Sequence, residues 1–173
     1  TMRTDTFRSP DFGPLGTVNT LALSAPRRTR TPHDRRTIEL SADADLPQVE
    51  LLLTYSGMGD GLFIAALRSG VSGLVIEAMG QGNVPPGVVN GIARARELGL
   101  PVVITSRCQS GPVRPYYAYE GAGRELEKLG CIFSPFLTGP KARLKLMVAL
   151  AAGYEGEALR AVLLRDGERA FVA

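Results

Sequence analysis

The chain has 173 residues, 45% of them hydrophobic and 21% charged, with 20 Lys and Arg against 17 Asp and Glu for a formal charge of +3. So hydrophobic and weakly charged a composition excludes an intrinsically disordered chain, and the length suits one domain with a core of useful size. The 20 Gly and 12 Pro follow no three-residue period, which excludes collagen and points to many turns.

Up to Leu46 the sequence is irregular. Pro10, Gly13, Pro14 and Gly16 lie close together, and Arg27, Arg28, Arg30, Arg35 and Arg36 follow around Pro26, Pro32 and the lone His33. This stretch, with Asp43 and Asp45 after it, reads as a solvated linker or arm over residues 1–46. It lacks the interleaved aromatics or recognition helix of a nucleic-acid binder, so nucleic acid is not an expected partner. No Cys, His, Asp or Glu cluster has metal-ligand spacing, so no metal or other cofactor is expected. No apolar stretch reaches the length of a membrane span and no cleavable signal opens the chain, so this stretch offers no address for export; a cytoplasmic protein is the expectation, and the location of a longer parent stays open. Cys108 and Cys131 both neighbour apolar, strand-like residues and are expected as reduced core thiols rather than a disulfide framework.

From Pro47 to the end, residues 47–173, short apolar runs alternate with amphipathic segments of helical length. The runs Val49 to Tyr55, Gly73 to Glu77, Pro101 to Thr105 and Cys131 to Phe133 predict four strands. Between the first two, Asp60 caps a helix carrying Leu62, Ala65, Ala66 and Leu67 at helical spacing, stopped by Gly70. Pro85 and Pro86 open a second helix with Val88, Val89, Ile92 and Ala95 inward and Gly99 ending it. Gly121 to Leu129 predicts a third, ended by Gly130. Thr138 caps a fourth with Ala142, Leu146, Ala149 and Leu150 on one face and Lys141, Arg143 and Lys145 outside, and Glu155 to Leu164 predicts a fifth. The pattern gives an α/β fold: a small, doubly wound, mainly parallel four-stranded sheet with helical crossovers, preceded by the irregular arm.

Ligands of such sheets meet the loops leaving the carboxyl ends of the strands. Here these loops are Ser56-Gly57-Met58-Gly59-Asp60, Met79-Gly80-Gln81-Gly82-Asn83-Val84-Pro85 and Ser106-Arg107-Cys108-Gln109-Ser110-Gly111. The second is not a dinucleotide fingerprint, since its third glycine is missing, and the first lacks the Lys-Ser/Thr pair of a phosphate-cradling loop. The glycines of these loops either turn the chain or let backbone approach a ligand.

Together these loops and their flanks resemble the bacterial-type L-asparaginases, amidohydrolases that release ammonia from asparagine. The resemblance is carried by Thr4-Asp5-Thr6-Phe7-Arg8-Ser9-Pro10-Asp11-Phe12-Gly13-Pro14-Leu15-Gly16, Val75-Ile76-Glu77-Ala78-Met79-Gly80-Gln81-Gly82-Asn83, Thr105-Ser106-Arg107-Cys108, Tyr117-Ala118-Tyr119-Glu120-Gly121 and Leu137-Thr138-Gly139-Pro140-Lys141-Ala142-Arg143-Leu144-Lys145-Leu146. It implies that this chain is the smaller, C-terminal domain of a two-domain, homo-oligomeric enzyme. The threonine nucleophile and its activating Thr, Asp and Lys then belong to a domain not in this chain, and no catalytic residue is expected here. The resemblance further implies that Asn83 reaches the active site of a neighbouring subunit and helps hold asparagine or glutamine. In some members a second substrate contact goes to the α-amino group; here it would fall on Glu120 or on a tyrosine of Tyr116-Tyr117-Ala118-Tyr119, a stretch that reads equally well as an interface cluster. Two other readings compete: the asparaginase-like subunit of a tRNA-dependent amidotransferase, and a free-standing flavodoxin-like binding module.

Overall fold

The computed structural model describes residues 37–164 apart from Ser110 and Phe136, together with the backbone pairing of two short strands nearer the start. The chain forms two compact units, Thr1–Ile38 and Glu39–Ala173. Within the first, β1 (Thr17–Val18) pairs antiparallel with β2 (Leu23–Ser24), a ladder that the irregular composition of the arm did not announce. The arginine stretch up to Arg36, His33, and the Thr4 to Gly16 stretch of the resemblance lie outside the described residues.

The second unit is the α/β domain. Strands β3 (Val49–Leu53), β4 (Gly73–Ala78), β5 (Val102–Ser106) and β6 (Ile132–Phe133) lie side by side in chain order, and every pairing is parallel. Helices α1 (Gly61–Arg68), α2 (Val89–Glu97), entered by a short 3-10 turn at Pro86–Val88, and α3 (Gly123–Lys128) form the three crossovers. After β6 the chain continues through α4 (Gly139–Ala151) and α5 (Gly156–Leu164).

Alternation along β4 shows how both faces are covered. Leu74, Ile76 and Ala78 enter one cluster with Phe63 and Ala66 of α1, Ile92 and Ala95 of α2 and Leu126 of α3. Because the strand order is sequential, the three crossovers share this face. The opposite face of β4 presents Gly73, Val75 and Glu77 to α4, whose Ala142, Leu146 and Ala149 are buried. A Cβ on Gly73 would stand 3.1 Å from Leu146 Cδ2, so the glycine sets how closely α4 lies on the sheet. Burial on both faces explains why the strand runs read as continuously apolar rather than alternating.

Leu62, Asp60, Thr138 and Arg143 depart from expectation. In α1 the anchor is Phe63, fully buried, while Leu62 is exposed, so the inward stripe lies one residue further on than Leu62 suggests. Asp60 and Thr138 occupy the N-cap positions of α1 and α4, yet neither side chain makes a capping hydrogen bond. At α4 the Gly139 amide donates instead to Glu77 Oε1 at 3.1 Å, a strand carboxylate placed at the positive end of the helix. Arg143, expected outside, is half-buried and donates from Nε to the Val49 carbonyl at 2.7 Å, fastening α4 to the edge strand β3.

The two cysteines divide. Cys131 is fully buried at the entry to β6, but Cys108 is exposed, because it lies two residues past the end of β5 in a loop leaving the sheet. Burial pushes the Cys131 thiol up from 9.0 to about 12, with the Arg96 guanidinium pulling weakly the other way. The thiolate is the nucleophile, so Cys131 stays inert wherever the domain is folded. Iodoacetamide at pH 8 should therefore label one thiol per native chain, at Cys108, and two after denaturation; mass spectrometry of the peptides reads this directly. The same upward shift predicts stability that holds below about pH 9 and falls as pH rises toward 12, because the unfolded thiol ionises first.

Candidate functional site

Asn83 stands at the end of the loop leaving β4, and two backbone bonds hold it in a tight return. Its amide donates to the Met79 carbonyl at 3.0 Å, and its carbonyl accepts from the Met79 amide at 2.8 Å. Within this return Gly82 has φ +108, and a Cβ there would lie 2.9 Å from Phe133 Cε1. Only glycine fits that turn against the end of β6.

The half-buried Asn83 side chain is not simply aimed at solvent. Its Oδ1 accepts from the Gly123 amide, the first residue of α3, at 3.2 Å. The next residue, Val84, donates its amide to the Gly121 carbonyl at 2.8 Å, and the Gln81 carbonyl accepts from the Arg114 amide at 2.8 Å. The loop after β4 and the segment 114–123 after β5 are thus joined by three hydrogen bonds. With one lone pair of Oδ1 engaged by Gly123, Asn83 still has its Nδ2 donor pair to offer a ligand.

Glu120 immediately precedes this junction and is exposed. The fold therefore brings Asn83 and Glu120 into adjoining loops, although they are 37 positions apart in the chain. Tyr116, Tyr117 and Tyr119 form an exposed aromatic strip beside them, with ring centroids 5.1 Å apart for Tyr116 and Tyr117 and 6.0 Å for Tyr117 and Tyr119. A shallow cavity of about 470 Å³ runs along Ala118, Tyr119, Glu120, Arg124, Glu125 and Lys128.

A second tie braces the same end of the sheet. Arg107 reaches across β4 from the loop after β5 and donates to the Thr54 carbonyl at 3.1 Å, while Ser106 Oγ donates to the Gly80 carbonyl at 2.7 Å. Thr54 and Thr105 hydroxyls also donate to backbone carbonyls, of Glu77 and Ile76, each at 3.1 Å. These three hydroxyls serve the backbone rather than pairing with a base, so none of them has the adjacent base that would activate a nucleophile.

Sequence reasoning missed two members of this site. Gly121 has φ +79, and a Cβ on it would collide with the Val84 carbonyl oxygen. Glu125, the third residue of α3, accepts the Gly121 amide on Oε2 at 2.5 Å. A Glu three residues past the cap position is the one signal that could have marked it.

The four-stranded, all-parallel sheet with its helical crossovers defines a small α/β domain, and comparison with known proteins gives its family. Residues 48–163 match the family described as the glutaminase/asparaginase C-terminal domain. The chain belongs to that family. It is 42% identical over 112 residues to an L-asparaginase of Bacillus licheniformis, covering 64% of this chain and 34% of that protein. It is 41% identical over 116 residues to a probable L-asparaginase of Deinococcus radiodurans, covering 66% and 34%. It is also 31% identical over 147 residues to a glutamyl-tRNA(Gln) amidotransferase component of Methanobrevibacter smithii, covering 84% and 33%. The chain thus spans about a third of the length of these relatives.

The approach of Gly121 to Val84 is the tightest feature of the site, and it generates a prediction. Gly121→Ala combines a strained positive φ with a backbone collision, and should destabilise the domain by about 2 to 4 kcal/mol. Urea unfolding followed by circular dichroism measures this; a loss within about 0.5 kcal/mol would show that the two loops are free to separate.

Proposed function

We propose that this chain is the substrate-contacting C-terminal domain of a cytoplasmic, homo-oligomeric asparaginase that hydrolyses L-asparagine to L-aspartate and ammonia. In this reading another domain supplies the nucleophile, and Asn83 and Glu120 complete the active site of a neighbouring subunit. The observation that supports it is the junction of the two loops, where the Val84 amide donates to the Gly121 carbonyl and so brings the backbones next to Asn83 and Glu120 together at the carboxyl ends of the strands. A zwitterionic amino acid needs that pair: Nδ2 of Asn83 for the α-carboxylate and Glu120 for the α-ammonium. Residues 1–46 form the arm leading into the domain, residues 47–173.

A division of labour follows from the chemistry. Cleaving the amide C–N bond needs a hydroxyl made nucleophilic by an adjacent base and donors for the developing oxyanion. The hydroxyls of Thr54, Thr105 and Ser106 are spent on backbone carbonyls. In this reading the domain's part is recognition. The likeness to the amidotransferase supports a second reading, in which the same amidohydrolase surface serves a tRNA-dependent enzyme.

Two outcomes test the proposal. The purified chain should release no ammonia from asparagine; steady release that survives repurification and disappears on replacing a threonine of this chain would overturn the division of labour. In the whole enzyme, Asn83→Ala should cost about 1 to 3 kcal/mol in kcat/KM, far less than loss of a nucleophile. Asn83→Asp refines this. It keeps an acceptor for the Gly123 amide, hence the fold, but replaces the donor pair with a charge that repels the substrate carboxylate. It should melt within a few degrees of the native protein and yet bind asparagine more weakly; unchanged kinetics in both variants would remove Asn83 from the site.

A further inference from the structure

We propose that Glu125, a residue with no part in the family resemblance, is a positioning residue that holds Asn83 and Glu120 in register with each other. The inference rests on the proposed role of Asn83 and Glu120, and extends it to a side chain that acts on both through the backbone between them.

The geometry runs from one side chain outward. Glu125 is half-buried in the first turn of α3, and its Oε2 accepts the Gly121 amide at 2.5 Å. A hydrogen bond to an ionised acceptor is among the stronger kinds, about twice a neutral one. The Gly121 carbonyl, on the other side of the same residue, accepts the Val84 amide at 2.8 Å. Val84 follows Asn83 directly, and Glu120 directly precedes Gly121. The carboxylate therefore fixes the one residue that stands between the two substrate-contacting positions. Asn83 closes the circuit by accepting from Gly123, two residues before Glu125.

Glycine makes this clamp necessary. Gly121 adopts φ +79 and cannot carry a Cβ against the Val84 carbonyl, so no side chain of its own limits its rotation. A glycine left without its amide partner would have many backbone conformations open to it. Glu120 would swing with it, since the two share a peptide plane. The adjacent carboxylates are differently placed: Glu120 is exposed, and Glu127 lies further along the helix, also exposed.

A cap that only stabilised α3 would change melting temperature and nothing else. A clamp on substrate-contacting residues changes how well asparagine is held, more than how fast bound asparagine reacts. In the whole enzyme, Glu125→Ala should raise KM for asparagine about tenfold and leave kcat within about twofold. Glu125→Gln keeps an oxygen acceptor for the Gly121 amide and should bring KM back to within about twofold of native. If Glu125→Ala lowers the melting temperature while KM stays at the native value, Glu125 is a helix cap alone and the inference is overturned. The combined Asn83→Ala/Glu125→Ala variant separates the two layers. With the clamp real, the double variant should be hardly worse in KM than Asn83→Ala plus whatever passes through Glu120, so the two effects fall short of additive. Full additivity would sink the clamp while leaving Asn83 in the site, whereas an Asn83→Ala enzyme with native kinetics would sink the functional reading itself.

Discussion

Burial of β4 on both faces is the constraint from which the rest of the domain follows. Leu74, Val75, Ile76 and Ala78 are all inaccessible to solvent, and the strand is paired on both edges. A strand so enclosed leaves its polar chemistry nowhere to go but the ends. At the carboxyl end it delivers Glu77 to the first turn of α4 and then breaks into the glycine loop that ends on Asn83. The sheet thus fixes where the loop begins to within the precision of a packed core.

From that fixed origin the site is built by backbone hydrogen bonding between loops rather than by side-chain packing. Val84 to Gly121, Arg114 to Gln81 and Gly123 to Asn83 tie the loop after β4 to the segment after β5, and Arg107 reaches past both to the loop after β3. Loops normally carry the greatest freedom in a fold, and a surface that recognises a small molecule needs that freedom removed. Glycines at 82 and 121 let the backbones come close enough for the ties to form.

The division between core and site also explains the two arginines that hold the structure. Arg96 donates to the Leu129 and Leu100 carbonyls at 3.1 and 2.5 Å, closing the ends of α3 and of the α2 to β5 connection. Arg143 does the same for the edge of β3. In each case a planar fork of donors satisfies carbonyls that helix ends and sheet edges leave open.

The elements of the α/β domain and their order were legible in local sequence, whereas the β1–β2 ladder was not. Apolar runs bounded by glycine and proline announced β3 to β6, and the helical spacings of Ile92 and Ala95 and of Leu146 and Ala149 announced α2 and α4 with their inward faces. The sequence determined the family too, and pointed to Asn83 and Glu120, because those signals are local: periodicity, turn residues and short motifs. How distant residues complete one another was settled by packing. In α1 both Leu62 and Phe63 are apolar, and only the sheet beneath the helix selects Phe63 for the core. Thr138 had the right type and position for a cap, but Glu77, 61 positions earlier, took the adjacent amide because the parallel pairing put it there. Cys108 and Cys131 sit in similar local sequence, and one is exposed only because the strand before it ends at Ser106. Gly121 reads as an ordinary helix-entry glycine until the Val84 carbonyl is seen against it. No period or motif encodes such contacts, since each depends on where the packed sheet places a second segment of chain.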